Sequence, residues 1–200
     1  AASQTIELPS GRRVVLEPLR KTARVLHLQE FEPCMILLNN DLSDGRPAIL
    51  DNVQQPIIPS PLLGWWSRLK SVHFNHYRDV AQDFAERVGI DPWLVAPLFR
   101  NCGEIDFMKR EGEDCMARNT DTLLKAIQLK YDEYGLDKKP FVVVKADAGT
   151  YGMSVMMAHS AEEIFELNRK QRTKMAASKG GQAVTQVIVQ EGVYTFETWG

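Results

Sequence analysis

The feature that most limits what this chain can become is one run, Phe141-Val-Val-Val-Lys-Ala-Asp-Ala-Gly-Thr-Tyr-Gly-Met-Ser-Val-Met. In it, four apolar residues deliver Lys145 into a short loop punctuated by Gly149 and Gly152. A continuous apolar stretch of this length reads as a strand buried on both faces. A cation at its end makes sense if the strand stops at a polyanion, because an unpaired buried ammonium is costly. The glycines let the backbone take positive φ and come close to a ligand, so that successive N–H groups can point at phosphate oxygens. The competing reading is an ordinary hairpin with a surface lysine at its strand end.

The segment after the loop separates one kind of phosphate grip from another. A P-loop or a dinucleotide fingerprint opens directly into a helix, whose N-terminus helps hold the phosphates. Here residues 153–158 form a second apolar run, and the next helix start falls at Ser160-Ala-Glu-Glu163, which has the form of a capping box. The loop therefore joins two strands. A helix is expected over residues 161–178, stopped by Lys179-Gly180-Gly181, and then a strand over 183–190. This β-loop-β-α-β order resembles ATP-grasp enzymes, in which a glycine-rich flap across a hairpin covers the phosphates of ATP and a lysine stands on the entering strand.

Composition narrows the classes around this grip. A net charge of -2 with no basic cluster argues against nucleic acid or anionic membranes as partners. No apolar stretch approaches membrane-spanning length and no signal-like N-terminus is visible. Cys34, Cys102 and Cys115 are scattered and form no C-x-x-C pair, which suits a reducing compartment. The expectation is a cytoplasmic protein of mixed α/β (α+β) class.

Upstream, residues 12–16 and 34–38 read as strands, the second ending in a polar turn that carries Asn39, Asn40 and Asp41. Residues 54–61 are proline-rich and expected to be irregular. Tyr77, Val80, Ala81, Phe84 and Val88 recur at helical spacing, and Gly89 ends that helix. His73 and His76 lie three apart on it without a third ligand nearby, which favours helix-surface or phosphate-proximal histidines over a metal pair. A second helix is expected from a cap at Asn119 or Thr120 to Tyr134, with Leu123, Leu124, Ile127 and Tyr131 on its core face.

Five stretches then carry a closer resemblance. They are Ile36-Leu-Leu-Asn-Asn-Asp-Leu-Ser, Gly64-Trp-Trp-Ser-Arg-Leu-Lys-Ser-Val-His-Phe, Phe99-Arg-Asn-Cys-Gly-Glu-Ile-Asp-Phe-Met-Lys, Val144-Lys-Ala-Asp-Ala-Gly-Thr-Tyr-Gly-Met and Gln190-Glu-Gly-Val-Tyr-Thr-Phe-Glu. Together they resemble the proteobacterial, ATP-grasp-like glutamate-cysteine ligase family. The resemblance implies ATP-dependent joining of the glutamate γ-carboxylate to the cysteine amine through an acyl phosphate, the first step of glutathione biosynthesis. ATP and Mg2+ are the implied cofactors, and L-glutamate and L-cysteine the small-molecule partners, with a homo-oligomer left open. Another ATP-grasp carboxylate-amine ligase, such as one like glutathione synthetase, and a non-catalytic nucleotide-binding module are the alternatives.

By that resemblance Lys145 matches the catalytic lysine that reaches the nucleotide phosphates. Gly149, Thr150, Tyr151 and Gly152 match the flap. Gln190, Glu191 and Val193 fall at the hinge that meets adenine, and Glu197 at the offset of a ribose-binding carboxylate. Arg68, Lys70 and His73, with Asn39, Asn40 and Asp41, are candidates for the amino-acid substrates. The upstream phosphate-binding cation is unassigned among Lys70, His76, Arg78 and Lys109. The expected organisation is an N-terminal pre-ATP-grasp region over 1–118 and a first ATP-grasp lobe over 119–200. Magnesium ligands are expected beyond residue 200, so none is assigned within this chain, and the chain alone is expected not to turn over.

Overall fold

The computed structural model describes residues 2–43, 45–149, 152, 154–177 and 183–195. Thr150, Tyr151 and Glu197 lie outside the described residues. The chain divides into two compact units, Ala1–Gly64 and Trp65–Gly200. Residues 65–118 contribute a helix and a strand to the second unit.

The first unit is built of small strand pairs. Strands β1 (Gln4–Glu7) and β2 (Arg13–Leu16) form an antiparallel hairpin, as do β3 (Arg20–Thr22) and β4 (Val25–His27). The expected strand at 34–38 is only the two-residue β5 (Ile36–Leu37), paired in parallel with β6 (Ile57–Ile58) inside the proline-rich stretch. Gln55 ties the unit together: its Oε1 accepts from Leu26 N–H at 2.7 Å, and its amide donates to the carbonyls of Leu26 and Pro33 at 2.7 and 2.9 Å.

The second unit is organised on one antiparallel sheet in the order β7-β10-β8-β9, formed by β7 (Phe99–Cys102), β8 (Val142–Ala146), β9 (Val155–Ala158) and β10 (Val187–Glu191). The loop after Lys145 does join two strands, β8 and β9, and the strand-loop-strand-helix-strand order is as expected. Alternation gives the sheet two distinct faces. Val142, Val144, Ala146, Val187 and Val189 belong to the main core together with Met116, Leu123, Ile127 and Tyr131 of helix α2 (Glu113–Glu133). Lys145 is opposite Val155 on one side and Ile188 on the other, and Gln190 is opposite Val143 and Phe99. Lys145, Val143, Ile188, Gln190, Phe99 and Asn101 therefore share the face away from that core.

Three helices differ from expectation for identifiable reasons. Helix α2 begins at Glu113, six residues before the expected cap. Asn119 and Thr120 are helix-interior residues: Asn119 donates to the Asn101 carbonyl and the Cys102 sulfur at 3.2 and 2.9 Å, and Thr120 is fully buried. The expected helix over 161–178 is two pieces, α3 (Glu162–Phe165) and α4 (Arg169–Ala176). The break occurs because Asn168 and Gln171 form a reciprocal capping box that starts a new helix. Helix α1 (Lys70–Val88) ends at Gly89 as expected, but it buries Ser71, Ala81 and Ala85, while Val80, Phe84 and Val88 are more than half exposed. Among the described residues no helix is long and apolar enough to cross a membrane.

Candidate active site

Lys145 projects from the end of β8, just before the loop. It is partly buried, and burial alone lowers its pKa below the ordinary lysine value. Among the described residues it has no hydrogen-bond acceptor and no ion-pair partner. Gly149 and Gly152 adopt φ of 93° and 64°, the positive φ expected of them, in the region where a side chain is strained.

Lys70 arrives at the same place from helix α1. Its Nζ donates to the carbonyls of Ala146, Asp147 and Gly149 at 2.7, 3.3 and 2.9 Å, so all three ammonium protons have acceptors on the loop that follows Lys145. Burial lowers its pKa, the Asp147 carboxylate raises it, and the Lys145 charge lowers it. Asp147, 1% exposed, in turn accepts from Ser71 N–H at 2.7 Å and from Ser71 Oγ at 2.6 Å. Neither Asp147 nor Ser71 is singled out by sequence. Their contact bridges 76 positions, and no local pattern marks it.

The end of β10 carries the next group. Gln190 lies on the Lys145 face, and its side-chain Oε1 is buried with no hydrogen-bond partner. Glu191, one residue on, points to the opposite face. There its carboxylate accepts from Trp93 Nε1 at 2.9 and 3.1 Å and from Leu98 N–H at 2.9 Å. Glu191 N–H donates to the Leu98 carbonyl, and Gly192 N–H to the Phe141 carbonyl. Among the described residues, Val193 N–H has no such acceptor, and Val193 itself is exposed. A cavity of about 670 Å3 lined by Trp93, Ala96, Tyr131, Val193 and Tyr194 opens on the Glu191 side of the sheet.

Burial is the largest influence on Glu191 and raises its pKa above 4.5, against the two donors that lower it. Because the folded value is the higher one, the stability contributed by Glu191 is full below pH about 4.5 and is lost as pH rises through the raised value. Glu191→Gln is expected to flatten that part of the profile. The check is the melting temperature of wild type and variant across pH 4 to 7: the two should lie closest at low pH, and the wild type should fall relative to the variant as pH rises.

Arg68 and His73 face aromatic rings of the second unit. The Arg68 guanidinium lies 4.9 Å from the Trp65 ring centroid, and His73 packs between Phe74 and Tyr77 at centroid distances of 5.2 and 6.2 Å. Asn40 and Asp41 belong to the first unit, where their side chains accept from Leu42 and Ser43 N–H at 2.7 and 3.0 Å within their own turn; Asn39 is exposed beside them. Among the described residues no group of three or more His, Cys, Asp or Glu side chains is placed to hold a metal ion.

The sheet and its loop define an α+β protein with two desolvated lysines at a glycine loop, equipment suited to an anionic ligand. Over residues 1–200 the sequence matches the family model of glutamate-cysteine ligase, and the chain belongs to that family. It is also similar to the crystal structure of a protein from Methylobacillus flagellatus KT described as a "Putative gamma-glutamylcysteine synthetase", with 50% sequence identity and a TM-score of 0.82 over 98% of this chain and 46% of that one. The chain thus spans just under half the length of that relative. No curated protein matches it.

Proposed function

We propose that this chain carries the nucleotide-phosphate grip of an ATP-dependent glutamate-cysteine ligase, with the described sheet forming part of an ATP-grasp lobe. The observation that carries the reading is Lys145: a desolvated ammonium with no acceptor among the described residues, standing where the backbone turns through Gly149 and Gly152. Family membership and the 50% identical relative support the reaction.

A carboxylate is a poor electrophile at neutral pH. Transfer of the ATP γ-phosphoryl to the glutamate γ-carboxylate gives an acyl phosphate and ADP; attack by the cysteine amine then forms the amide, and phosphate leaves. Phosphoryl transfer asks the protein chiefly for positioning and for charge placed where the equatorial oxygens gather it. Lys145 supplies that charge from a site that excludes much of the water which would screen it. The flap, including Gly149, Thr150, Tyr151 and Gly152, would cover the phosphates. The purine would lie toward the end of β10, where the buried Gln190 carboxamide offers an acceptor on the Lys145 face and Val193 a backbone donor; Glu197 would take the ribose. Glu191 acts there through its backbone only, since its carboxylate is spent on Trp93 and Leu98.

Magnesium, bound with the nucleotide, would screen phosphate charge. The described residues do not offer it a ligand set. Substrate-dependent ADP release by the full-length protein tests the proposal, and release is expected to require both glutamate and cysteine.

A further inference from the structure

We propose that Asp147 is a positioning residue for this grip: by capping helix α1 through Ser71 and holding Lys70 against the carbonyls of Ala146, Asp147 and Gly149, it fixes the loop in which Lys145 and Gly149 meet a nucleotide. The inference rests on the reading of Lys145 as a phosphate contact.

Three observations converge on Asp147. First, helix α1 has no side-chain cap of its own, since its N-cap position is Leu69. A helix start with orphan N–H groups attracts a carboxylate, and Asp147 provides it from 76 residues away, accepting from both the N–H and the hydroxyl of Ser71. Second, the loop backbone is held on both sides. Asp147 N–H donates to the Gln186 carbonyl, Lys70 N–H donates to the Asp147 carbonyl, and Ala146 N–H donates to the Ser154 carbonyl. Third, Lys70 spends its three protons on three carbonyls of that loop while lying close enough to Lys145 for the two charges to repel.

Such a cluster is out of balance without a ligand. The Asp147 carboxylate acts on Lys70 and is committed to the helix cap, while Lys145 has no acceptor among the described residues. A phosphate arriving at Lys145 restores the balance, so the same contacts that hold the loop also leave a net positive charge for an anion. A loosening of the loop by about one ångström displaces the backbone groups beside Gly149, and misplacement on that scale costs a large factor in rate.

The test measures steady-state kinetics of the full-length protein for Asp147→Asn, Ser71→Ala, Lys70→Met and Lys145→Ala. Asn keeps the shape and one acceptor but removes the charge, so the fold is retained. Asp147→Asn should raise the KM for ATP about tenfold, the loss expected when a buried hydrogen bond to a charged group is weakened, and leave the KM for glutamate within about twofold. Ser71→Ala should raise it by a smaller factor in the same direction. The charged groups acting on Lys70 are Asp147 from the loop and Lys145 from β8; His73, three residues along α1, is the titratable neighbour on its own helix. Because Asp147 raises the Lys70 pKa, Asp147→Asn should move the alkaline limb of kcat/KM for ATP to lower pH, and in Lys70→Met the limb that remains, that of Lys145, should no longer respond to Asp147→Asn. A purely structural cap would lower the melting temperature without moving the limb. Unchanged KM for ATP and an unmoved limb in both Asp147→Asn and Ser71→Ala would overturn the positioning role. An unchanged KM for ATP and turnover in Lys145→Ala would instead overturn the nucleotide reading beneath it.

Discussion

Lys145→Ala should lower ATP-dependent turnover of the full-length protein by about a hundred- to a thousandfold, the range found when a single preorganised donor to transition-state charge is removed, while the folded structure survives. The size reflects where the ammonium sits. It is partly withdrawn from water, so its field on a phosphate oxygen is weakly screened, and no acceptor among the described residues competes for it. The fold should tolerate the change for the same reason: burying this charge is a cost to the folded state, shown by its lowered pKa, and alanine removes that cost. The comparison of kcat with the KM for ATP divides the effect. Loss chiefly in kcat places Lys145 on the transferred phosphoryl, and loss chiefly in KM places it on a phosphate that is bound equally in ground and transition states.

The largest expected effect on stability comes from Phe107→Ala. Phe107 is 1% exposed and sits in the segment between β7 and α2, packed into the cluster that also holds Ile105, Met116 and Val187. Its turn is closed by reciprocal hydrogen bonds between the backbones of Asp106 and Glu111 at 3.1 and 3.0 Å. The backbone is thus pinned on both sides of the ring and cannot collapse into the space the ring leaves. A loss of roughly 3–5 kcal/mol is expected. Urea unfolding reads it as a lowered midpoint with an unchanged slope. A loss under about 1 kcal/mol would mean that the segment relaxes freely and is not part of the core.

How much of this fold is legible in the sequence depends on how local each cause is. The run from Phe141 to Met156 shows its two strands and its loop because strand, glycine and strand are neighbours in the chain, and the positive φ of Gly149 and Gly152 is a property of those residues themselves. The break between α3 and α4 is also written locally, in Asn168 and Gln171, but the apolar and charged residues around it read as one helix. The early start of α2 is not local. Asn119 and Thr120 resemble a cap, yet inside the fold Asn119 is satisfied by Asn101 and Cys102, and tertiary partners override the preference of such residues for helix ends. Periodicity identifies α1 but not its buried face, since Ala81 and Ala85 are covered and the larger Val80, Phe84 and Val88 are not.

The site obeys the same rule. Lys145 can be found from its strand alone. Gln190 and Glu191 look equivalent as hinge residues, and only the register of β10 against β8 and β7 shows that their side chains leave on opposite faces. Lys70 is, in sequence, one of several candidates for a substrate or a phosphate, because its contacts to Ala146, Asp147 and Gly149 span 76 to 79 positions. The capping carboxylate of Asp147 is hidden for the same reason: in sequence it is one polar residue in a loop, and its meaning lies in the helix end it meets.

Whether this chain holds ATP for the joining of glutamate to cysteine is tested most directly by ADP release from the full-length protein. The protein is supplied with ATP and magnesium, and glutamate and cysteine are added separately and together. ADP should form in step with γ-glutamylcysteine, and only when both amino acids are present. ADP release that ignores cysteine and glutamate, or nucleotide binding with no release under any of these conditions, would contradict that role.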